Sequence, residues 1–388
     1  MPPAPAPRLL LIATMPWMLS VRLAKALRAV GFEVQAVCRA GHPLRHVDRR
    51  IPTHRLGWLR EEASCEAAIR DVEPDLVIPC DDPAVGILHA LHRHDRSGRL
   101  CAVIEASLGD PAGFAIAEKR SALIALARSM GVRVPRSEVV QHRPRSGCAL
   151  PSSFPCVLKR DQTWSGMGVR VVHSDAELQY AWSYVAGWLG ALRACKAALR
   201  DRRVPTFLDF FAHDAVVELQ EFVPGSPANR AIVCRAGRVM GGISVVAEQT
   251  AYPGGPASVV RIIDHPEMAQ AAALLAGRLG LSGFCGFDFV ISPSGQAHLI
   301  ELNPRATPIV HLAIGDGTHL PSSLYREMTG TEPEIAPAQV PGDLIALFPT
   351  EWQRDPASIF LQQAHHDAPW DEPALLRSCG LTPPQPAP

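Results

Sequence analysis

Residues 283–305 read GFCGFDFVISPSGQAHLIELNPR, and the reading of the whole chain turns on them. An apolar run at 287–291 meets a Pro293-Ser294-Gly295 turn, and a second run at 297–302 follows, which is the pattern of a β-hairpin. With the turn centred between Ser294 and Gly295, Asp288 falls opposite Glu301. Side chains alternate along a strand, so Glu301 and Asn303 share a face and Asp288 joins them, while Phe287, Phe289, Ile300 and Leu302 turn into a core. Three hard oxygen donors on one face suit Mg²⁺, with Mn²⁺ as the alternative, because such an ion takes few protein ligands and completes its shell with water and phosphates. Arg305 follows within reach, placed to neutralise charge on a transferring phosphoryl group. The competing reading is a hairpin with a solvated polar face. Asn303-Pro304-Arg305 at a strand end, where residues are delivered to a cleft, favours the site.

An Asp on one strand followed by Glu-x-Asn-Pro-Arg on the next resembles the signature of the ATP-grasp superfamily of ATP-dependent ligases. Asp288, Glu301, Asn303 and Arg305 carry the likeness. It implies an α/β fold, a small parallel α/β domain followed by a two-lobed ATP-grasp domain. The corresponding divisions are an N-terminal domain at 1–106, the lid and first lobe at 107–225, the second lobe with the metal hairpin at 226–330, and a Pro-rich appendage at 331–388.

The chain has 388 residues, 47% of them hydrophobic, which is enough for two or three domains with real cores. Its 38 basic and 38 acidic side chains cancel, so no global electrostatic case exists for nucleic acid or an anionic membrane. Ten cysteines have no paired C-x-x-C spacing, and Cys101, Cys156, Cys234 and Cys285 sit in apolar, strand-like runs. That usage fits a reducing cytoplasm rather than a disulfide framework. The opening run LLLIATMPWML is interrupted by Pro16 and continues at helical spacing, as expected for a strand, loop and helix rather than a secretory signal. No run reaches the roughly 18 apolar residues of a membrane span.

Short strands at 9–13, 33–38 and 75–79 alternate with helical stretches at 19–29, 65–71 and 83–92, the order of a parallel sheet. No G-x-G-x-x-G follows the first strand. Asp81-Asp82 lies just past a strand end and reads either as a ligand position or as a helix cap. His89, His92 and His94 read as a solvated helix end rather than a metal site, since only the i, i+3 pair shares a face. A helix closed by Gly131 precedes a strand ending in Lys159, and a long helical stretch runs over 174–199. Residues 193–209 are less regular and read as an insertion.

The rest of the nucleotide site follows from the resemblance. Lys119 at a helix start and Lys159 at the end of FPCVLK, about 40 residues apart, match the family's phosphate-contacting lysines. Ser165, Gly166, Met167 and Gly168 correspond to a glycine loop that closes over phosphates with backbone N–H groups. Gln220, Glu221, Phe222 and Val223 correspond to the hinge strand, where the Glu221 carbonyl and the Val223 N–H would meet the adenine edge. The acidic residue the family places after this hinge to grip the ribose is absent; Asn229 stands nearby. Arg261 corresponds to a triphosphate contact, with a surface-strand arginine as the alternative. YPGGPASVVRIIDHPEM, IELNPRAT and AIGDG look more like the carbamoyl-phosphate-synthase-type and amino-acid-ligase branches than the D-alanine ligase branch. The implied activity is ATP-dependent activation of a small carboxylate as an acyl phosphate, followed by attack of an amine or other nucleophile. A kinase-like phosphotransferase and a non-catalytic ATP-binding scaffold are the alternatives. The partners are small molecules, with a homodimer left open.

Overall fold

The computed structural model describes residues 5–47, 51–95, 98–140, 154–161, 168–187, 189–192, 195–196 and 216–381. The chain divides into two compact units. One comprises Met1–Phe114, Ala228–Phe287 and Asn303–Pro388; the other comprises Ala115–Pro227 and Asp288–Leu302.

The first unit opens with a parallel sheet of four strands, β1 (Arg8–Ala13), β2 (Glu33–Cys38), β3 (Thr53–Arg55) and β4 (Leu76–Pro79), in the order β3-β2-β1-β4. Residues Leu9 to Ala13 are each fully buried, because the central strand of a parallel sheet is covered on both faces. The helix Asp82–His94 leaves the end of β4. Asp81 caps it by accepting the Ala84 N–H at 3.0 Å, and the same carboxylate accepts from the Thr14 and Met15 amides. The cap reading of this position is therefore right for Asp81.

The second unit holds an antiparallel sheet of β5 (Ser137–Val139), β6 (Cys156–Arg160), β7 (Val169–Val172) and β8 (Val217–Glu221), ordered β5-β8-β6-β7. The helix expected over 174–199 is interrupted. Its first part, capped by the Ser174 hydroxyl, runs Asp175–Val185 and breaks at Ala186-Gly187, after which residues 189–192 and 195–196 are helical again. The proposed insertion at 193–209 lies almost wholly outside the described residues.

A larger sheet is ordered β13-β12-β9-β10-β11-β14-β15, from β9 (Ser226–Arg235), β10 (Arg238–Thr250), β11 (Ala257–Ile263), β12 (Gly283–Ile291), β13 (Ala297–Asn303), β14 (Leu344–Leu347) and β15 (His365–Asp367). The Ala236-Gly237 turn between β9 and β10 has both residues at positive φ, as a tight hairpin requires. The segment after 331 is not an appendage. β14 pairs with β11, and Ile345, Leu347, Trp352, Leu375 and Leu376 are buried in the main core of the first unit. The apolar, strand-like run around Cys101 is likewise part of a helix, Arg99–Leu108, which places Cys101 on a helical face.

Candidate active site

The hairpin forms where the sequence predicts it. Its turn is a three-residue loop, in which the Gly295 N–H donates to Ser292 O at 2.8 Å and the Ser292 N–H to Gln296 O at 2.9 Å. Gly295 takes φ 79°, the left-handed position such loops reserve for glycine. The closing pair is thus Ser292 and Gln296, one residue out of step with a turn centred between Ser294 and Gly295, so the expectation of Asp288 directly opposite Glu301, which rested on that centre, does not follow from the observed turn.

In the second unit the hairpin's carboxylates meet two buried cations. Lys159, at the end of β6, is 5% exposed. Burial lowers its pKa to about 7, Arg120 beside it pushes the same way, and Glu301, Glu218 and Asp288 oppose both. A single ammonium therefore senses all three carboxylates. The second cation is Arg120, and sequence reasoning missed it. Its guanidinium donates to Glu301 Oε1 at 2.7 Å and to the Arg160 carbonyl at 3.3 Å. Burial works against its charge, but Glu301, Asp161 and Glu218 together outweigh burial and raise its pKa. Arg120 Nε and Glu218 Oε2 are buried without a hydrogen-bond partner, so the cluster carries unmet polar capacity.

Lys119 is half-buried as the residue preceding the helix Arg120–Ser129, and the side chain that reaches Glu301 is its neighbour's. Ser121 Oγ–Asp161 Oδ2, at 2.5 Å, ties this helix start to the end of β6. Of the glycine loop, Ser165, Gly166 and Met167 lie outside the described residues. Gly168 follows them, with its carbonyl accepting the Arg160 N–H at 2.9 Å.

On the hinge strand Gln220 is buried, and Glu221 accepts from Arg136 through its side chain. Phe222 and Val223 continue, half-buried, toward Gly225. That glycine takes φ 152°, and a Cβ there would stand 2.1 Å from the Ile291 carbonyl, so no other residue fits without moving the hairpin's first strand.

In the first unit, Arg305 forks onto Asp82, with Nε–Oδ1 at 2.8 Å and a terminal nitrogen to Oδ2 at 3.0 Å. The same nitrogen donates to Asn303 Oδ1 at 3.0 Å, and the guanidinium lies 5.3 Å from the Trp17 ring. Asp82 was legible only as half of an ambiguous pair at a strand end; Trp17 carried no signal. Asn229, the candidate ribose contact, faces the Thr307 hydroxyl at 3.4 Å. Arg261 bonds Glu248 and Asp343 at 2.5 and 2.9 Å on β11, the surface-strand arrangement, so its charge is already balanced by two carboxylates.

No protein-family profile matches the chain. It is 28% identical over 199 residues to a D-alanine–D-alanine ligase of Anaeromyxobacter sp. (strain Fw109-5), a match that takes in 47% of this chain and 55% of that protein. The chain thus spans about half the length of that relative. It is 25% identical over 240 residues to the arginine-specific large chain of carbamoyl phosphate synthase from Oryza sativa subsp. japonica, covering 59% of this chain and 19% of that one. Among solved structures, the biotin carboxylase–βγ-ATP complex from Campylobacter jejuni superposes with a TM-score of 0.57 at 14% identity, over 85% of this chain and 72% of that one. The last is a likeness of fold. Together these proteins point to the ATP-grasp ligase superfamily and to no single named ligase within it.

Proposed function

We propose that this chain is an ATP- and Mg²⁺-dependent ligase that activates a small carboxylate as an acyl phosphate and joins it to an amine or another nucleophile, releasing ADP and phosphate. The observation that carries the reading is the buried cluster of Lys159 and Arg120 against Glu301, Glu218 and Asp288. Opposed charges concentrated at low exposure are what a site for a polyanion and its counter-ion requires.

The donor set fits Mg²⁺: Asp288, Glu301 and the Asn303 amide oxygen are all hard oxygens, and these residues would hold the ion. Mg²⁺ bound there would draw negative charge from the ATP phosphates. The chain's own residues account for the rest. Lys159 and Arg120 would balance phosphate charge, Arg120 exchanging its contact with Glu301 for one with the nucleotide. The Glu221 carbonyl and Val223 N–H would hold the adenine edge. Arg305 would hold the acyl phosphate and then the oxyanion formed when the nucleophile attacks. The nucleophile's attack breaks the bond between acyl carbon and phosphate oxygen, and phosphate leaves. Catalysis of this type is mostly positioning and charge stabilisation.

The divisions at 106 and 225 and the preference for the carbamoyl-phosphate-synthase-type and amino-acid-ligase branches belong to this proposal. The test is ADP release by the purified protein against pooled small carboxylates, with and without amines. Release that needs both an acid and an amine supports the ligase; release with a single acceptor identifies a phosphotransferase; none under any pool refutes both.

A further inference from the structure

We propose that His92, Cys101 and Glu105 form a surface site for a thiolate-binding divalent cation, with Zn²⁺ the best fit, that staples the helix Asp82–His94 to the helix Arg99–Leu108. This site is separate from the carboxylate cluster on the hairpin and does not depend on the proposed ligase activity.

Three observations carry it. First, a ligand atom of each residue lies within 4.8 Å of the other two. A tetrahedral Zn²⁺ with sulfur, nitrogen and oxygen ligands needs them roughly 3.3–3.8 Å apart, so binding would draw the three side chains closer together. Second, Cys101 and Glu105 are four residues apart on one helix, so they project from the same face, and His92 approaches from the preceding helix. Third, the positions are held. The His92 ring packs edge-on against Phe114 at 5.4 Å, with its Nε2 2.8 Å from Glu105 Oε1. Asp95 Oδ2 accepts the Leu100 and Cys101 amides at 2.8 and 3.0 Å, which fixes the helix start beside the thiol.

The electrostatics agree. The Asp95 and Glu105 carboxylates put the thiol in negative potential that a divalent ion would relieve. On binding, the thiol proton would leave to solvent, and the His92 ring would carry its proton on Nδ1, freeing Nε2 and the Glu105 carboxylate for the ion. His92 retains 18% and Glu105 45% side-chain exposure, which leaves a fourth position for water. The mixed sulfur, imidazole and carboxylate set selects a borderline-soft ion over Mg²⁺.

The test is titration of the full-length reduced protein with Co²⁺, followed by displacement with Zn²⁺. The expected result is one equivalent giving a thiolate-to-cobalt charge-transfer band and the intense visible bands of tetrahedral coordination. Oxygen ligands alone produce no such charge-transfer band. Cys101→Ser should abolish it, and Glu105→Gln should weaken Zn²⁺ affinity at least roughly tenfold. Cys195→Ser, at an exposed cysteine elsewhere, should leave it intact. No charge-transfer band in the native protein, or a band that survives Cys101→Ser, overturns the proposal.

Discussion

Arg120 donates a 2.7 Å hydrogen bond to Glu301, a side chain 181 residues further along the chain that the sequence places at the centre of a metal-binding face. The guanidinium supplies positive charge directly against the Glu301 carboxylate. Removing it leaves Glu301 beside Glu218 and Asp288 with one buried cation fewer. Arg120→Ala is therefore expected to cost about 2 kcal/mol, below the usual range for breaking a buried pair because Glu301 is one-third exposed. Lys119→Ala should stay within about 0.5 kcal/mol. Urea denaturation of both variants checks the contrast, and equal losses would show that the cluster does not depend on Arg120.

Glu301→Gln and Asp288→Asn keep shape and remove charge. Each should leave the secondary structure unchanged by circular dichroism and lower ATP turnover by roughly 10² or more, since charge neutralisation at the phosphates carries most of the rate in this chemistry. ADP release measured on folded variants is the check. Near-normal turnover in either one would sink the metal assignment.

Acid stability gives a test independent of activity. His42 is buried, with its Nε2–H directed at the Met15 carbonyl at 2.8 Å and its Nδ1 accepting the Leu44 N–H at 3.1 Å, an arrangement available only to the neutral ring. Burial lowers its pKa to about 4, and burial with the neighbouring His311 does the same to His319. The folded state keeps both rings neutral, whereas the unfolded chain binds a proton on each below about pH 6.5. Their contribution is complete above that pH and is lost as pH falls from about 6.5 to about 4, by roughly 3 kcal/mol for each. Urea midpoints across this window should fall steeply in the native protein and less steeply in His42→Gln. Equal slopes would remove His42 from the account.

The parts of this architecture that were legible in the sequence are those with a period. The apolar run that became β1, the alternation of strands and helices to residue 94, and the hairpin around Gly295 each carry a local pattern that tertiary contacts do not override. What was missed lacks one. Lys119 and Arg120 are adjacent and chemically alike, and only the phase of the helix start decides which of them turns inward. Residues 100–106 are an apolar run too short to tell helix from strand. β14 and β15 are four and three residues long and are fixed by pairing with β11 and with each other, so the Pro-rich stretch around them reads as a tail. Asp82 becomes legible only once Arg305, 223 residues away, is seen to fork onto it.

That fork sets the final prediction. Arg305 is 12% exposed, held in plane by both Asp82 oxygens and by Asn303, with Trp17 beside it. A guanidinium fixed in this way needs no reorganisation when charge develops on a transferring group, which is the condition under which a donor accelerates chemistry rather than binding. Arg305→Ala and Arg305→Lys should lower kcat by roughly 10²–10³, about 3–4 kcal/mol, while ATP affinity changes little. Asp82→Asn keeps a hydrogen-bond acceptor but releases the fork, so it should lower kcat by a smaller factor, and Asp82→Ala by a larger one. A purely structural fork would give a different pattern: stability would fall in all four variants and kcat per folded molecule would hold. Measuring kcat, ATP affinity and urea midpoints together separates the two, and unchanged kcat with matched loss of ATP binding would refute the role assigned to Arg305.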